Sequence, residues 1–172
     1  MPTSVIIDKL TNSIEDASSA KRFDTETVPL EKGDLKTVLK KYGWLFNWKQ
    51  EFNYFERQVF KLVIKDDSTI QGLISLQVMD GFLEMHLIES APHNIGHGKK
   101  YVGVAGNLVA FVCKLSFDLE FQGFIAFTPK TELIQHYQQS LGAELIFRNR
   151  MGIKTKSAKK LVNLYYEGYF NP

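Results

Sequence analysis

Apolar and polar residues alternate along three consecutive stretches in the middle of the chain, a pattern typical of β-strands that cover a core. The predicted strands span 58–64, 70–79 and 82–89. The turn at 66–68 and the hairpin turn Asp80-Gly81 separate them. Because short connections join antiparallel neighbours, this part of the sequence predicts a three-stranded meander.

The rest of the chain mixes weaker strand patterns with apolar spacings of three and four residues, which are typical of helices. Before the meander we predict a strand pair over 5–10 and 23–30 around the polar loop 11–22, and a helix from the N-cap Asp34 to Gly43. After it we predict a helix along Val104, Leu108, Phe111, Val112 and Leu115, a strand over 123–127, and a helix over 131–141 ended by Gly142. The chain then forms a hairpin over 144–153 and a terminal helix capped by Ser157. We therefore predict one α/β (α+β) domain over 1–172. It has a mixed, mostly antiparallel sheet flanked by helices, an N-terminal strand pair and a C-terminal helix.

Composition narrows the function classes. The 172 residues include 21 Lys and Arg against 19 Asp and Glu, and this near balance argues against a dedicated nucleic-acid binder. A single cysteine, Cys113, excludes an intramolecular disulfide and a cysteine-based zinc cluster, and the four histidines are scattered, so no metal is expected. No apolar run is long enough to cross a bilayer, so we expect a cytoplasmic protein without a membrane partner.

The segment most informative about chemistry is 89–115, where a strand, a glycine-containing loop and a helix follow one another. Small residues open that helix at 103–107, and Lys99 and Lys100 precede them. Uncovered amides in a first helical turn, together with the helix dipole, form an anion site suited to a pyrophosphate. The alternative is that the glycines only relieve crowding where the helix packs against a strand, and the pattern leaves both explanations open.

At this point the sequence resembles the GNAT superfamily of acetyl-coenzyme A-dependent N-acetyltransferases. Residues 100–105 (Lys-Tyr-Val-Gly-Val-Ala) are similar to the family motif Gln/Arg-x-x-Gly-x-Gly/Ala, and residues 136–142 are similar to its aromatic-Tyr-x-x-x-Leu-Gly pattern. The chain departs from the family at Lys100, in a longer loop over 92–99 and at 128–130, where an Asn is usual. The resemblance implies acetyl-CoA as the acetyl donor, with coenzyme contacts at Ile88, Lys99, Lys100, Val102, Gly103, Val104, Ala105, Gly106 and Asn107.

The resemblance also implies an acyltransferase in which a primary amine attacks the thioester directly in a ternary complex. Tyr137 matches the family tyrosine and would be the general acid that protonates the leaving thiolate. The period of two in the strand puts Phe82, Glu84, His86 and Ile88 on one face and Leu83, Met85 and Leu87 on the core face. Glu84 and His86 are thus candidates for a base or a water-holding pair, and Glu89 joins them if a bulge shifts the phase.

Ordinary explanations stand beside these roles: Glu84 and His86 could line a solvated face, and Tyr137 could pack in the core. The aromatic residues between Trp44 and Phe55 are expected to divide between an acceptor pocket and the core. The expected acceptor is a small-molecule or peptide amine, and the sequence is compatible with a homodimer. Two rival functions remain open: a catalytically inactive GNAT-fold binding module, and a toxin-type acetyltransferase acting on aminoacyl-tRNA.

Overall fold

The computed structural model describes all 172 residues and contains ten strands and four α-helices. The strands are β1 (Ile14–Asp16), β2 (Arg22–Phe23), β3 (Thr25–Pro29), β4 (Gln58–Ile64), β5 (Ile70–Val78), β6 (Leu83–Ser90), β7 (Tyr101–Val102), β8 (Ile125–Phe127), β9 (Glu144–Phe147) and β10 (Arg150–Ile153). The helices are α1 (Trp48–Asn53), α2 (Val104–Asp118), α3 (Ile134–Leu141) and α4 (Thr155–Tyr165). None of them is long and apolar enough to span a membrane.

Seven strands form the main sheet in the order β3-β4-β5-β6-β8-β10-β9, and β2-β1-β7 form a small second sheet. All neighbours in the main sheet are antiparallel except β6 and β8. Neighbouring strand residues such as Leu73 and Ile74 belong to different apolar clusters, so both faces of the sheet are covered. The larger cluster includes α2 and α4, and the smaller one includes Trp44 and Trp48.

The parallel strands β6 and β8 stay together for only two residue pairs. Leu83 pairs with Ile125 and Glu84 with Ala126, and no pair follows. From Met85 to Ser90, β6 therefore has no strand partner on this side. The opening between the two strands positions the candidate site.

A bulge in β6 reverses the predicted assignment of its faces. Ser75 pairs with Leu87 whereas Leu76 pairs with Met85, so His86 is the extra residue. Ile88 consequently joins Leu83 and Met85 in the larger core, and Leu87 lies in the smaller one. The prediction that Leu87 shares the face of Leu83 and Met85 was wrong, because one inserted residue moves the following side chains to opposite faces.

The N-terminal strands were also assigned wrongly in part. Residues 5–10 form no strand, and β1 lies inside the predicted loop, where its Ile14 is fully buried. The backbone N–H of Ile7 donates to the His136 ring rather than to a neighbouring strand. The sequence pattern could not show that residues 5–10 lack a strand partner, because an extended buried segment has the same apolar pattern whether or not it is hydrogen-bonded to a neighbouring strand.

Two helix starts differ from the prediction. The segment predicted as one helix from Asp34 to Gly43 forms two short 3-10 turns, and Glu31 rather than Asp34 is the N-cap of the first. The backbone leaves the helical region at Val38, between the two turns. Ser157 lies inside α4, and its hydroxyl donates to the carbonyl of Gly142 instead of capping the helix.

Candidate active site

The glycine-containing loop after β6 is held at its start by buried amides. The Asn94 side chain is 4% exposed, and its Nδ2 donates to the carbonyl oxygen and to Oε1 of Gln71. Its Oδ1 accepts a hydrogen bond from the Tyr101 amide, so it ties the loop's start to its end. His93 contacts the same Gln71 Oε1 at 2.8 Å, and burial followed by the charge of Lys100 lowers the pKa of His93. This network presents the residues before α2 in one defined conformation.

The start of α2, the predicted pyrophosphate site, is occupied by a carboxylate from the chain itself. The Gly103 N–H donates to Asp8 Oδ1 at 3.1 Å, and Lys99 Nζ lies 3.1 Å from Asp8 Oδ2. Lys100 instead lies over the Tyr101 ring, 5.4 Å from its centroid. Of the two predicted phosphate-binding lysines, Lys99 thus reaches the anion at the helix start.

The small residues in the first turn of α2 allow residues 9–13 and helix α4 to approach this turn closely. A Cβ on Gly103, whose φ is +92°, would lie 2.7 Å from Thr11 Cγ2. A Cβ on Gly106 would lie 2.7 Å from the hydroxyl of Tyr165. Crowding therefore explains both glycines in this structure, although the neighbours are the N-terminus and α4 rather than the expected strand.

The other predicted coenzyme residues of α2 are covered as well. Val104, Ala105 and Asn107 are 2%, 1% and 4% exposed, and Gly106 is buried. The side-chain Nδ2 of Asn107 donates to Thr25 Oγ1 at 3.0 Å. The first turn of α2 is accordingly part of the packed interior.

Residues 3–13, hereafter the N-terminal segment, run through the opening between β6 and β8. Thr3 forms a parallel bridge with Pro129, just after β8. Further along, Tyr137 Oη donates to the Val5 carbonyl at 2.6 Å, and the Ile7 N–H donates to His136 Nε2 at 2.9 Å. The segment then reaches α2 at Asp8.

Tyr137, the predicted general acid, lies at this opening but is fully buried. Its ring packs edge-on against Phe127, and its hydroxyl is engaged by Val5. Burial raises the pKa of Tyr137 above its ordinary value, so the phenol remains protonated at neutral pH. The hydroxyl can donate to a ligand atom only where Val5 no longer accepts its proton.

A cavity of about 930 Å³ lies next to the β6 bulge, and Glu84 and His86 line it. Arg150 donates to both oxygens of Glu84 and also to Thr128 Oγ1. This bidentate pairing fixes the Glu84 carboxylate and engages its lone pairs. Glu84 is consequently poorly disposed to take a proton from a substrate.

His86 is the better disposed of the two predicted bases. Its Nε2 lies 2.8 Å from Gln77 Oε1. Burial first, and then the charge of Arg57, lowers the pKa of His86, while the charges of Glu84 and Glu51 act in the opposite direction. A neutral imidazole with one nitrogen held by Gln77 retains the second nitrogen as a proton acceptor.

Besides Glu84 and Arg150, one further ion pair lines the large cavity. Glu51 is 5% exposed and accepts two hydrogen bonds from Arg57 Nη1, at 2.7 and 2.8 Å. The cations that line the cavity outnumber the carboxylates. They are Lys40, Arg57, Lys130 and Arg150, against Glu51, Glu84 and Glu132. No buried carboxylate of this cavity is left without a cationic partner.

Glu89, which was a candidate base if a bulge shifted the phase of the strand, does not face the large cavity. Its carboxylate accepts hydrogen bonds from the amides of Leu45 and Phe46 and from Trp48 Nε1. It thereby fastens the segment before α1 to the sheet. Phe46 lines the large cavity, while Trp48 is 1% exposed, so the aromatic residues are divided between pocket and core.

A second cavity of about 320 Å³ separates the N-terminal segment from the free edge of β6. It is bordered by Val5, Ile88, Ser90, Gly96 and Lys99, among others. The two cavities adjoin, because Leu45 and Phe46 line both and because Leu87 and Ile88 are consecutive residues of β6.

Sequence reasoning missed Asp8, Arg150 and the Arg57–Glu51 pair. Asp8 stands in a segment without a recognisable pattern, and nothing local indicates its partner. Arg150 could have been found from the strand order, since β10 neighbours β8 and β8 neighbours β6 at Glu84. The chain contains no group of three or more His, Cys, Asp or Glu residues that could hold a metal ion.

Comparison with known proteins adds evidence at the level of structure. No family model and no curated protein matches the chain significantly. The structure is similar to spermidine N-acetyltransferase from Vibrio cholerae in complex with CoA and spermine, with a TM-score of 0.51 and 15% identity, over 78% of this chain and 98% of that chain. Two mutant forms of that enzyme, SpeG, align with TM-scores of 0.51 and 0.53 at 14% and 15% identity, over 79% and 78% of this chain and 96% of each of those chains. At these identities the similarity establishes a shared fold and confirms the predicted fold class.

Proposed function

The chain has the fold of the GNAT N-acetyltransferases, and from this premise we propose that it transfers the acetyl group of acetyl-CoA to a primary amine. The observation that supports this most is the pair of adjoining cavities at the β6 bulge. The smaller would take the donor and the larger the acceptor, so that thioester and amine meet near Leu87 and Ile88. Holding two reactants in contact accounts for much of the rate gain in such a reaction.

The donor side relies on the free edge of β6. Between Met85 and Ser90, the backbone groups on the side of β6 away from β5 have no strand partner, so they can pair with the amide groups of an extended coenzyme arm as a strand would. Lys99, at the end of the same cavity, would balance phosphate charge. The N–H groups at the start of α2 would complete the pyrophosphate site once Asp8 leaves it.

The reaction itself needs one proton acceptor and one proton donor. The amine nitrogen attacks the thioester carbon, the C–N bond forms and the C–S bond breaks. His86 would accept the proton lost by the amine, directly or through a water molecule, and Tyr137 would donate a proton to the departing thiolate. Gln77 would hold the His86 ring in place, and Glu84, paired with Arg150, would form part of the cavity wall.

The charges of the large cavity favour one kind of acceptor. SpeG is a spermidine/spermine acetyltransferase, and a polyamine carries further ammonium groups that seek unpaired carboxylates. Here the buried Glu51 and Glu84 are already neutralised by arginines. The side chains without an ion-pair partner are two cations, Lys40 and Lys130, against one exposed carboxylate, Glu132, so the unpaired charge of the cavity is positive. We therefore propose an amine without a second ammonium group, on a molecule with an acidic or neutral remainder.

A thiol-release assay with acetyl-CoA tests this function. The panel should contain a polyamine (spermidine), a neutral monoamine and amines with a carboxylate, with each product verified by mass spectrometry. Acetylation of a monoamine or an acidic amine in preference to spermidine is the expected result. Preference for spermidine would overturn the acceptor class, and the absence of any product would count against transfer itself.

One observation favours a second candidate, a binding module without transfer activity. In this structure the start of α2 and the Tyr137 hydroxyl are both engaged by the N-terminal segment. If that arrangement is permanent, acetyl-CoA should leave the melting temperature unchanged at any concentration, whereas binding to the folded state would raise it. No observation favours aminoacyl-tRNA as the acceptor.

A further inference from the structure

We infer that the N-terminal segment is an internal occupant of the coenzyme site and has to leave it before acetyl-CoA can bind. This inference rests on the proposed function, since it concerns regulation of the same site. It accounts for a feature that the catalytic proposal leaves unexplained, namely that the chain's own residues cover the start of α2 and the candidate general acid.

The first argument is the chemistry of Asp8. Its carboxylate receives the Gly103 N–H on one oxygen and the Lys99 ammonium on the other, each at 3.1 Å. A backbone amide at a helix start and a lysine are the same donors that a phosphate oxygen would use. Asp8 and a pyrophosphate therefore compete for the same groups and cannot hold them together.

The second argument is the position of Thr11. A side chain on Gly103 would collide with it, and the Lys9 carbonyl lies 3.3 Å from the position of a Cβ on Gly106. The Thr11 amide donates to the Tyr165 hydroxyl at 3.0 Å, which holds this part of the segment between α2 and α4. Such contact distances leave no room for a ligand beside the first turn.

The third argument is how the segment is attached. Between the Thr3 bridge and β1 it forms no strand or helix. At Val5 and Ile7 its hydrogen bonds join it to Tyr137 and His136 of α3. At Asp8 they join it to Lys99 and Gly103, just before α2. Detachment therefore breaks the single bridge at Thr3, these separate hydrogen bonds and the core contacts of Ile7, but no continuous strand ladder. Stretches without a ladder of their own open more readily than the strands around them.

The consequence is quantitative. If only a fraction of the molecules has the segment displaced, the apparent dissociation constant for coenzyme rises by the inverse of that fraction. Any change that weakens the segment's contacts should tighten coenzyme binding, and any cross-link that fixes the segment should abolish it.

A reversible cross-link provides the test. Thr3 and Pro129 are bridge partners, and the buried Thr3 hydroxyl has no hydrogen-bond partner, so Thr3→Cys breaks no side-chain hydrogen bond. The only native thiol, Cys113, is fully buried. The full-length Thr3→Cys/Pro129→Cys protein would be titrated with CoA by calorimetry, oxidised and after reduction with a phosphine, with both single-cysteine variants as controls.

We expect no measurable CoA binding in the oxidised protein, with binding restored to the level of the single-cysteine variants on reduction. Equal affinity in the oxidised and reduced forms would overturn the inference and leave the proposed function standing. If the disulfide does not form, Asp8→Asn serves instead, and it should bind CoA more tightly than the unaltered protein. If the folded wild type, the reduced double variant and Asp8→Asn all fail to bind, both the inference and the proposed function fall.

Discussion

The carboxylate of Asp8 lies 3.1 Å from the amide nitrogen of Gly103, although 95 residues separate them in the chain. An acidic group at a helix start is typically worth about 0.3–2 kcal/mol. Because about 1.4 kcal/mol corresponds to a tenfold change in an equilibrium constant, Asp8→Asn should tighten coenzyme binding roughly 2- to 30-fold. Calorimetric titration with CoA measures this directly.

The matched control removes the same charge from the other end of α2. Asp118 forms an exposed pair with Lys114 at the last turn of this 15-residue helix. Asp118→Asn should leave CoA affinity unchanged. Weaker CoA binding in Asp8→Asn would mean that Asp8 supports the site instead of occupying it.

A second prediction separates backbone strain from crowding at Gly103. Gly98 and Gly103 both have positive φ, +75° and +92°, but a Cβ on Gly98 meets nothing within 4 Å while one on Gly103 meets Thr11 at 2.7 Å. Gly98→Ala should lower the free energy of unfolding by about 1 kcal/mol through strain alone. Gly103→Ala should lower it by roughly 1–3 kcal/mol more, because overpacking is added.

Urea denaturation of both variants and of Thr11→Ser measures the difference. Thr11→Ser removes the methyl group that would collide, so the Gly103→Ala/Thr11→Ser double variant should recover part of the loss, as a coupling between contacting residues. Equal losses for Gly98→Ala and Gly103→Ala would contradict the close approach of the N-terminal segment.

The sequence was sufficient for elements whose determinants are local. The meander from β4 to β6 follows from alternation and from the Asp80-Gly81 turn, and α3 ends at Gly142 because a left-handed residue terminates it there. The sequence raised the β6 bulge only as a possibility. It could not locate the bulge, since one extra residue at His86 leaves the composition of the strand unchanged.

The candidate site depended on contacts that no local pattern contains. Ile7 and His136 are 129 residues apart, and Glu84 and Arg150 are 66 apart. The resemblance to the GNAT motif located Gly103 and Tyr137 in the chain, but it could not reveal that the N-terminal segment lies against both. That information resides in the tertiary fold alone.

Breaking the Glu84–Arg150 pair should destabilise the protein. The Glu84 side chain is 10% exposed, so Arg150→Met leaves a mostly buried carboxylate without its partner. Since Arg150 itself is 31% exposed and partly screened by solvent, we expect a loss of about 1–3 kcal/mol rather than the full value for a buried pair. Urea denaturation at neutral pH gives the value.

The comparison for this variant is an exposed pair. Lys154 and Glu144 lie 3.7 Å apart and are both more than half exposed, so Lys154→Met should change stability by less than about 0.5 kcal/mol. Adding Glu84→Gln to Arg150→Met removes the unpaired charge and should restore part of the loss. Similar losses for the two single variants would show that Glu84 is better solvated than its burial indicates.

The pH dependence of the protein should reflect His86. The pKa of His86 in the folded state is lowered by burial, below the unfolded value of about 6.5. The unfolded chain therefore binds the proton more readily, so stability falls as the pH drops below about 6.5 and levels off once the folded-state pKa has been passed. As a base, His86 would also give kcat/KM an acid limb that falls below pH 6.5.

His86→Gln tests both the contribution of His86 to the pH dependence of stability and its contribution to catalysis. It should remove its share of the acid destabilisation and, if His86 is the base, lower the rate by roughly 10²–10⁴-fold and abolish the acid limb. The pKa of His93 is also lowered by burial, so His93→Gln should likewise reduce the acid destabilisation, but without moving the acid limb. An unchanged limb in His86→Gln would assign the proton to another group.

The last prediction concerns the hydroxyl of Tyr137, which donates to the Val5 carbonyl at 2.6 Å. Tyr137→Phe keeps the ring in contact with Phe127 and removes only the O–H. If Tyr137 protonates the leaving thiolate, turnover should fall by roughly 10²-fold or more. The same substitution releases one contact of the N-terminal segment, so CoA should bind with unchanged or higher affinity. A buried tyrosine with a purely structural role would instead give wild-type turnover together with a small loss of stability, and measuring kcat, CoA affinity and the free energy of unfolding on one preparation separates these outcomes.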